Sequence, residues 1–163
     1  MRNTNNIRKI DANTPNLEVI FEAVRILKSG GIVSFPTRCL YGLGADALNH
    51  KVVDRVFRIK QRALDKPLLI LVPDRHAVAG LVNEIPPDAV KIMDKYWPGQ
   101  ITIVLAASSS LPSNLLAGTD KIGIRLPGHP LARALVEAFG GPITGTSANI
   151  SGQPGSSRVD DID

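Results

Sequence analysis

The chain has 163 residues, 44% of them hydrophobic, 21% charged and 4% aromatic, with a formal charge of +4 and a single cysteine. That length supports one domain whose core is filled by Val, Ile, Leu and Ala rather than by aromatics, and one cysteine excludes an internal disulfide. No apolar run approaches a membrane span, and the polar start from Met1 to Asn16 lacks the apolar stretch of a secretion signal, so a cytoplasmic protein with no membrane role is expected.

In chain order, Pro15 leads into a helix predicted from Leu17 to Lys28, with Ile20, Ala23, Val24 and Leu27 inward; Gly30-Gly31 ends it. Ile32 to Phe35 reads as a short strand running into Pro36, and Thr37 to Ala47 as a glycine-bearing irregular stretch. A basic helix follows from Lys51 to Arg62, its core face carried by Val53, Val56 and Phe57. Leu68 to Val72 reads as a buried strand, and Asp74 as the cap of a short helix carrying Val78, Leu81 and Val82. Pro87 opens a helix through Val90, Met93 and Trp97, stopped by Pro98-Gly99. Ile101 to Leu105 and Lys121 to Leu126 are strands joined, without a helix, through Ser108 to Gly118. Pro130 starts a helix through Leu131, Ala134, Leu135 and Ala138, Gly140-Gly141 ends it, and Pro142 to Thr146 is the last strand. The fold class expected is α/β, a twisted sheet of mixed parallel and antiparallel pairing flanked by helices.

The basic helix is the most informative segment. Continuing the periodicity of Val53, Val56 and Phe57 lands on Lys60, an ammonium in an apolar stripe that burial disfavours. It must snorkel out or sit at the mouth of a cavity holding an anion. Between Lys51 and Lys66 lie six basic residues (Lys51, Arg55, Arg58, Lys60, Arg62, Lys66) and two acidic ones (Asp54, Asp65), a difference equal to the net charge of the chain. Lys51, Arg55, Arg58 and Arg62 share one face, which suits either a solvated helix surface or a nucleic-acid or polyphosphate surface.

Several familiar motifs do not survive their context. Gly42-Leu-Gly44-Ala-Asp-Ala47 matches a dinucleotide fingerprint in letters but lacks the strand directly before it and the acid after it. Asn149 stands where a nucleophile elbow around Ser147 needs glycine. His50, His76 and His129 have no metal-ligand spacing. What remains is a set of segments that couple small residues to a hydroxyl, amide or cation: Pro36 to Gly44, Lys60 to Pro67, Trp97 to Thr102, Gly123 to Pro127 and Thr146 to Gly152. Within them Arg125 ends an apolar strand, where a guanidinium can grip a carboxylate or phosphate through two bonds.

Taken together, these segments resemble the YrdC-like domain of the L-threonylcarbamoyladenylate synthase family, in its short single-domain form. The likeness runs from Leu17 to Asp163, leaving residues 1–16 as a polar N-terminal extension. The family's P-T-E-T-V-Y-G-L-G resembles Pro36 to Gly44, K-x-R-P-x-x-N-P-L resembles Lys60 to Leu68, and W-P-G-P-x-T resembles Trp97 to Thr102. Its x-x-R-x-P-x-H-P resembles Ile124 to Pro130, and S-A-N-x-S-G resembles Ser147 to Gly152.

The resemblance implies a YrdC-like fold and an enzyme, a nucleotidyltransferase of tRNA processing. It would condense L-threonine, bicarbonate and ATP into threonylcarbamoyl-AMP and pyrophosphate, for threonylcarbamoyl modification of tRNA adenosine. Lys60 and Arg62 would be catalytic. Arg62, Lys66, Lys121, Ser147 and Asn149 would bind ATP, and Thr37, Cys39, Tyr41, Leu71, Arg125 and Gly145 would bind threonine. Mg²⁺ would arrive with ATP, with no protein-built metal site, and tRNA or double-stranded RNA would be a further partner. On this reading Lys60→Ala abolishes adenylate formation and leaves the fold intact. Arg38 and Cys39 stand in place of the family's glutamate and threonine, Lys66 in place of asparagine, and Leu71 where long-form members carry histidine. The chain also stops at Asp163, before the segment in which relatives place further ATP contacts. The alternative is a non-catalytic RNA-binding protein of the same fold, using the stripe from Lys51 to Arg62.

Overall fold

A computed structural model of the protein describes residues 6–162; residues 1–5 of the polar start, and Asp163, lie outside it. The first helix, α1 (Leu17–Lys28), forms where its periodicity places it. The Asn16 side chain accepts from the Glu18 N–H at 2.8 Å, and Ile20, Val24 and Leu27 are buried. Its partner is α6 (Pro130–Phe139), which buries Leu131, Ala132, Leu135 and Val136. The stretch before α1 is drawn onto the same layer, since Arg8 pairs with Glu22 at 2.6 Å and Ile10 packs against this core. On the other side lies α2 (His50–Lys60), with Val52, Val53, Val56 and Phe57 buried and Gln61, at φ 46°, closing it in the left-handed region. Each such fully buried apolar side chain stabilises the fold by about 1.5–3 kcal/mol.

The strands are β1 (Val33–Pro36), β2 (Tyr41–Gly44), β3 (Ile70–Leu71), β4 (Ile103–Ala106), β5 (Lys121–Arg125), β6 (Ile143–Thr144) and β7 (Thr146–Ser147). They form a three-stranded antiparallel sheet in the order β1-β2-β7 and a four-stranded sheet in the order β4-β5-β3-β6, in which only β3 and β5 run parallel. The two are stitched together. Thr144 donates its N–H to Ala45 and its hydroxyl to Leu43, and Ala47 donates to Pro142. One apolar cluster joins α1 and α6 to Phe35, Leu71 and Ile143, and a larger one joins α2 to Ile70, Ile103, Ile122 and Trp97. The architecture is thus the expected α/β class, a mixed parallel and antiparallel sheet with helices on both sides.

Three local expectations change. The stretch read as irregular contains β2, hidden because two of its four residues are glycine. Phe35 takes the missing volume, for a Cβ at Gly44 would stand 2.8 Å from its ring. The connection read as helix-free holds a single turn, α5 (Ser113–Leu116), whose Asn114 amide donates to Asp54 and to the His50 carbonyl on α2. One turn is too short to show a period. The strand read from Pro142 to Thr146 breaks at Gly145, so that β6 pairs in one sheet and β7 in the other. Elsewhere the bounds shift by a few residues. The helix after Asp74 is α3 (His76–Ala79), with Leu81 and Val82 beyond its end, and α4 (Pro87–Tyr96) stops one residue short of Trp97.

Candidate functional site

A cavity of about 610 Å³ opens where the β1–β2 loop, the end of β5, the start of α6 and the β6–β7 break meet. Its wall includes Thr37, Arg38, Cys39, Tyr41, Leu71, Gln100, Arg125, His129, Gly145 and Ser147. All six residues expected at the threonine side are therefore in one wall, together with Ser147 from the expected ATP set. Two guanidiniums face this space and no carboxylate lines it. Such a cavity favours an anion over a cation.

Several wall residues are held by neighbours. In the β1–β2 loop, Thr37 bonds Leu40 twice, its N–H at 3.0 Å and its hydroxyl at 2.5 Å from the same carbonyl. The Arg125 guanidinium donates Nε and Nη2 to the Thr102 hydroxyl at 2.9 and 2.7 Å, which fixes the plane of the fork and leaves Nη1 for a ligand. Burial pulls this guanidinium below its usual range, though an arginine remains cationic throughout. Thr102 is presented by the Trp97–Thr102 segment, anchored by the Trp97 indole N–H on the Ile101 carbonyl at 2.8 Å and by Gly99 N–H on Leu126 at 2.9 Å. Gly145 leaves its Cβ position to the neighbouring strand, for a Cβ there would stand 2.6 Å from Leu69 Cδ1 and 2.9 Å from Leu71 Cγ.

Lys60 neither snorkels nor opens on this cavity. It is 2% exposed, and its ammonium donates to the Ser147 carbonyl at 2.5 Å and the Asn149 carbonyl at 2.7 Å. Its own carbonyl accepts from the Ser151 N–H at 2.7 Å. The charge is thus met from beneath by the turn that carries Ser147 and Asn149, with Lys60 and Asn149 lining a second, smaller cavity of about 200 Å³. The buried lysine acts as a strut for that turn.

Burial, and secondarily the charge of Arg62, pulls the Lys60 ammonium down to about 8. Below that pH the folded and unfolded chains both carry the proton, so this group adds no pH dependence. Between about 8 and 10.5 the unfolded chain holds a proton that the folded chain has shed, so stability rises with pH. The neutral amine still has two N–H donors for its two carbonyls. In urea unfolding between pH 7.5 and 9.5, the wild type is expected to gain on Lys60→Met by about 1–3 kcal/mol. A constant gap between the two proteins would show that the ammonium is not desolvated.

The remaining expected ATP residues lie apart from the main cavity. Arg62 donates to the carbonyls of Lys66 and Pro67, both at 2.9 Å, and so shapes the loop after α2, while Lys66 itself is exposed. Lys121 is exposed at the other end of β5, on the same strand face as Arg125. Of the basic stripe, Lys51 and Arg58 are exposed and Arg55 is engaged by the Gly30 carbonyl at 2.8 Å. Reading the sequence missed Thr102 as the partner of Arg125, Arg38 as a wall residue, and His129. The motifs contained all three; the structure alone shows which way they face.

Comparison with known proteins adds the following. The Sua5/YciO/YrdC family, described as "Telomere recombination", matches residues 25–163. The threonylcarbamoyl-AMP synthase of Pyrococcus abyssi is 39% identical over 132 residues, 81% of this chain and 39% of that protein. That of Coxiella burnetii (strain RSA 331) is 36% identical over 135 residues, 83% of this chain and 73% of that protein. The crystal structure of P. abyssi Sua5 complexed with L-threonine superposes with a TM-score of 0.88 at 36% identity, covering 91% of this chain and 44% of that one. The chain thus spans less than half the length of the Pyrococcus relative.

Proposed function

The chain belongs to the Sua5/YciO/YrdC family, and from that premise we propose that it condenses L-threonine, bicarbonate and ATP into threonylcarbamoyl-AMP and pyrophosphate. The observation that carries this is the cavity wall, in which Arg125 is oriented by Thr102 among small residues with no carboxylate beside it. The L-threonine complex of the structural relative supports the choice of amino acid.

In this reading the threonine carboxylate meets Arg125 while its amine, with bicarbonate, gives a carbamate and water. A carbamate oxygen attacks the α-phosphorus of ATP, forming the P–O bond of the mixed anhydride as the bond to pyrophosphate breaks. Negative charge grows on the phosphoryl oxygens and on the leaving group, and fixed donors and cations stabilise it. Ser147, on the turn that Lys60 braces, faces that centre from the cavity. Arg62 and Lys66 in the loop after α2, and Lys121 on β5, would contribute further cations to the nucleotide's phosphates. Among the described residues no group of three or more His, Cys, Asp or Glu converges; the Mg²⁺ that accompanies ATP would be held by phosphate oxygens and water. The product would supply threonylcarbamoyl modification of tRNA adenosine, a role in keeping with a cytoplasmic protein. Among the described residues no helix is long and apolar enough to cross a membrane.

The test is pyrophosphate release with ATP, bicarbonate and L-threonine, each omitted in turn. Release that requires all three is expected. RNA binding with steep salt dependence and no threonine-dependent release would replace this reading with that of a non-catalytic RNA-binding protein.

A further inference from the structure

We propose that His129 is a substrate-contacting residue of the cavity, donating a hydrogen bond from Nε2–H to an oxygen of the bound amino acid. This rests on the reading above that the cavity takes threonine. His129 caps the start of α6, where its carbonyl accepts from the Arg133 N–H at 2.9 Å, and its imidazole lies in the cavity wall. The turn before it is pinned, because a Cβ on Gly128 would stand 3.1 Å from the Gly99 Cα. The ring is therefore presented from rigid backbone, four residues beyond Arg125.

The two ring nitrogens differ. Nδ1 is enclosed and has no hydrogen-bond partner. Nε2 makes no bond among the described residues and is not among the enclosed, unpartnered atoms. An imidazolium would place an N–H at both nitrogens, one of them buried against no acceptor, which costs about 1–3 kcal/mol. The charged side chains facing the same space, Arg38 from the β1–β2 loop and Arg125 from β5, are cationic, and no Asp or Glu lines the wall to favour the protonated ring. Burial lowers the proton affinity further. The ring is thus neutral with its proton on Nε2, a donor aimed at ligand oxygen and unsuited to an ammonium. With Arg125 Nη1 it makes a two-point clamp. The carboxylate takes the guanidinium, and either its second oxygen or the threonine hydroxyl takes His129.

Threonine KM from pyrophosphate release, ATP KM and the thermal midpoint are compared for wild type, His129→Gln, His129→Asn and His129→Phe. The glutamine amide nitrogen reaches where Nε2 stands, whereas the asparagine nitrogen reaches only to Nδ1. Loss of the bond in the Phe and Asn variants is expected to raise threonine KM about tenfold. His129→Gln is expected to return to within about threefold of wild type, with ATP KM within about twofold throughout. L-2-aminobutyrate identifies the oxygen. If the Asn penalty persists with it, the carboxylate is the acceptor; if the penalty vanishes, the hydroxyl is.

Wild-type threonine KM in the Asn variant, or rescue by Asn and not Gln, overturns the proposal while the function stands. The Gln–Asn comparison remains decisive if the Phe variant does not fold. Absence of threonine-dependent release by the wild type would instead remove the functional reading, and this inference with it.

Discussion

Lys60→Ala is expected to lower the folding free energy by about 3–5 kcal/mol and to abolish ATP turnover in whatever fraction remains folded. The Asn149 carbonyl depends on this one ammonium, while the Ser147 carbonyl also accepts from the Asn149 N–H at 3.0 Å. Removing the ammonium leaves the Asn149 carbonyl without a protein partner, at about 1–3 kcal/mol, and a void where the stem had packed. This revises the expectation, drawn from the family pattern alone, of a dead enzyme with an intact fold. Lys60→Met separates the effects: it keeps the packing volume, so its residual destabilisation reports the lost hydrogen bonds. Urea unfolding gives the first quantity and pyrophosphate release the second. An unchanged unfolding midpoint in Lys60→Ala would show that the turn from Ser147 to Asn149 holds itself up.

Arg125→Met is expected to reduce kcat/KM for threonine by a hundredfold or more while the thermal midpoint stays within a few degrees. A charge-assisted hydrogen bond contributes about 1.5–3 kcal/mol and a two-bond grip on a carboxylate correspondingly more. The partner of the guanidinium inside the protein is a single hydroxyl, so the fold loses little. Arg125→Lys should not rescue, because an ammonium cannot bridge Thr102 and a ligand in one plane. Thr102→Val, which frees the fork without removing it, should fall between the wild type and Arg125→Met. If Arg125→Met retained wild-type kcat/KM, the carboxylate would have to bind elsewhere and the cavity would lose its assignment.

Much of the framework could be read from periodicity. The helix from Leu17 to Lys28 stands at its expected bounds because a polar cap, an inner stripe and a closing glycine pair all agree. The basic helix buries Val53, Val56 and Phe57 as its pattern requires, and the same pattern singles out Lys60 as the cation facing inward. The sequence could not show what meets that cation. Its partners are main-chain carbonyls nearly ninety residues away, and carbonyls have no letter in a sequence. The strand β2 was invisible for a related reason, since glycine carries no alternation and the group filling its place belongs to Phe35 on the neighbouring strand. For Arg125 the position at a strand end was legible, but its orienting hydroxyl lies on a different segment. His129 was set aside for want of ligand spacing, a criterion suited to metals and blind to a ring facing a cavity. In each case the missing information was a long-range juxtaposition made by topology.

Gly145 has one further consequence. The volume a methyl would need there is already occupied by the branched ends of Leu69 and Leu71. Long-form members of the family that the sequence resembles carry histidine at the place of Leu71, and here the aliphatic side chain there and the bare backbone at Gly145 are in steric contact. Position 145 cannot grow on its own: a methyl there is penalised while Leu69 and Leu71 both remain, and trimming 71 relieves only part of the clash because the Leu69 end stands nearer still. Positions 69, 71 and 145 therefore form an epistatic set, and the order of substitution decides which sequences are reachable from this one.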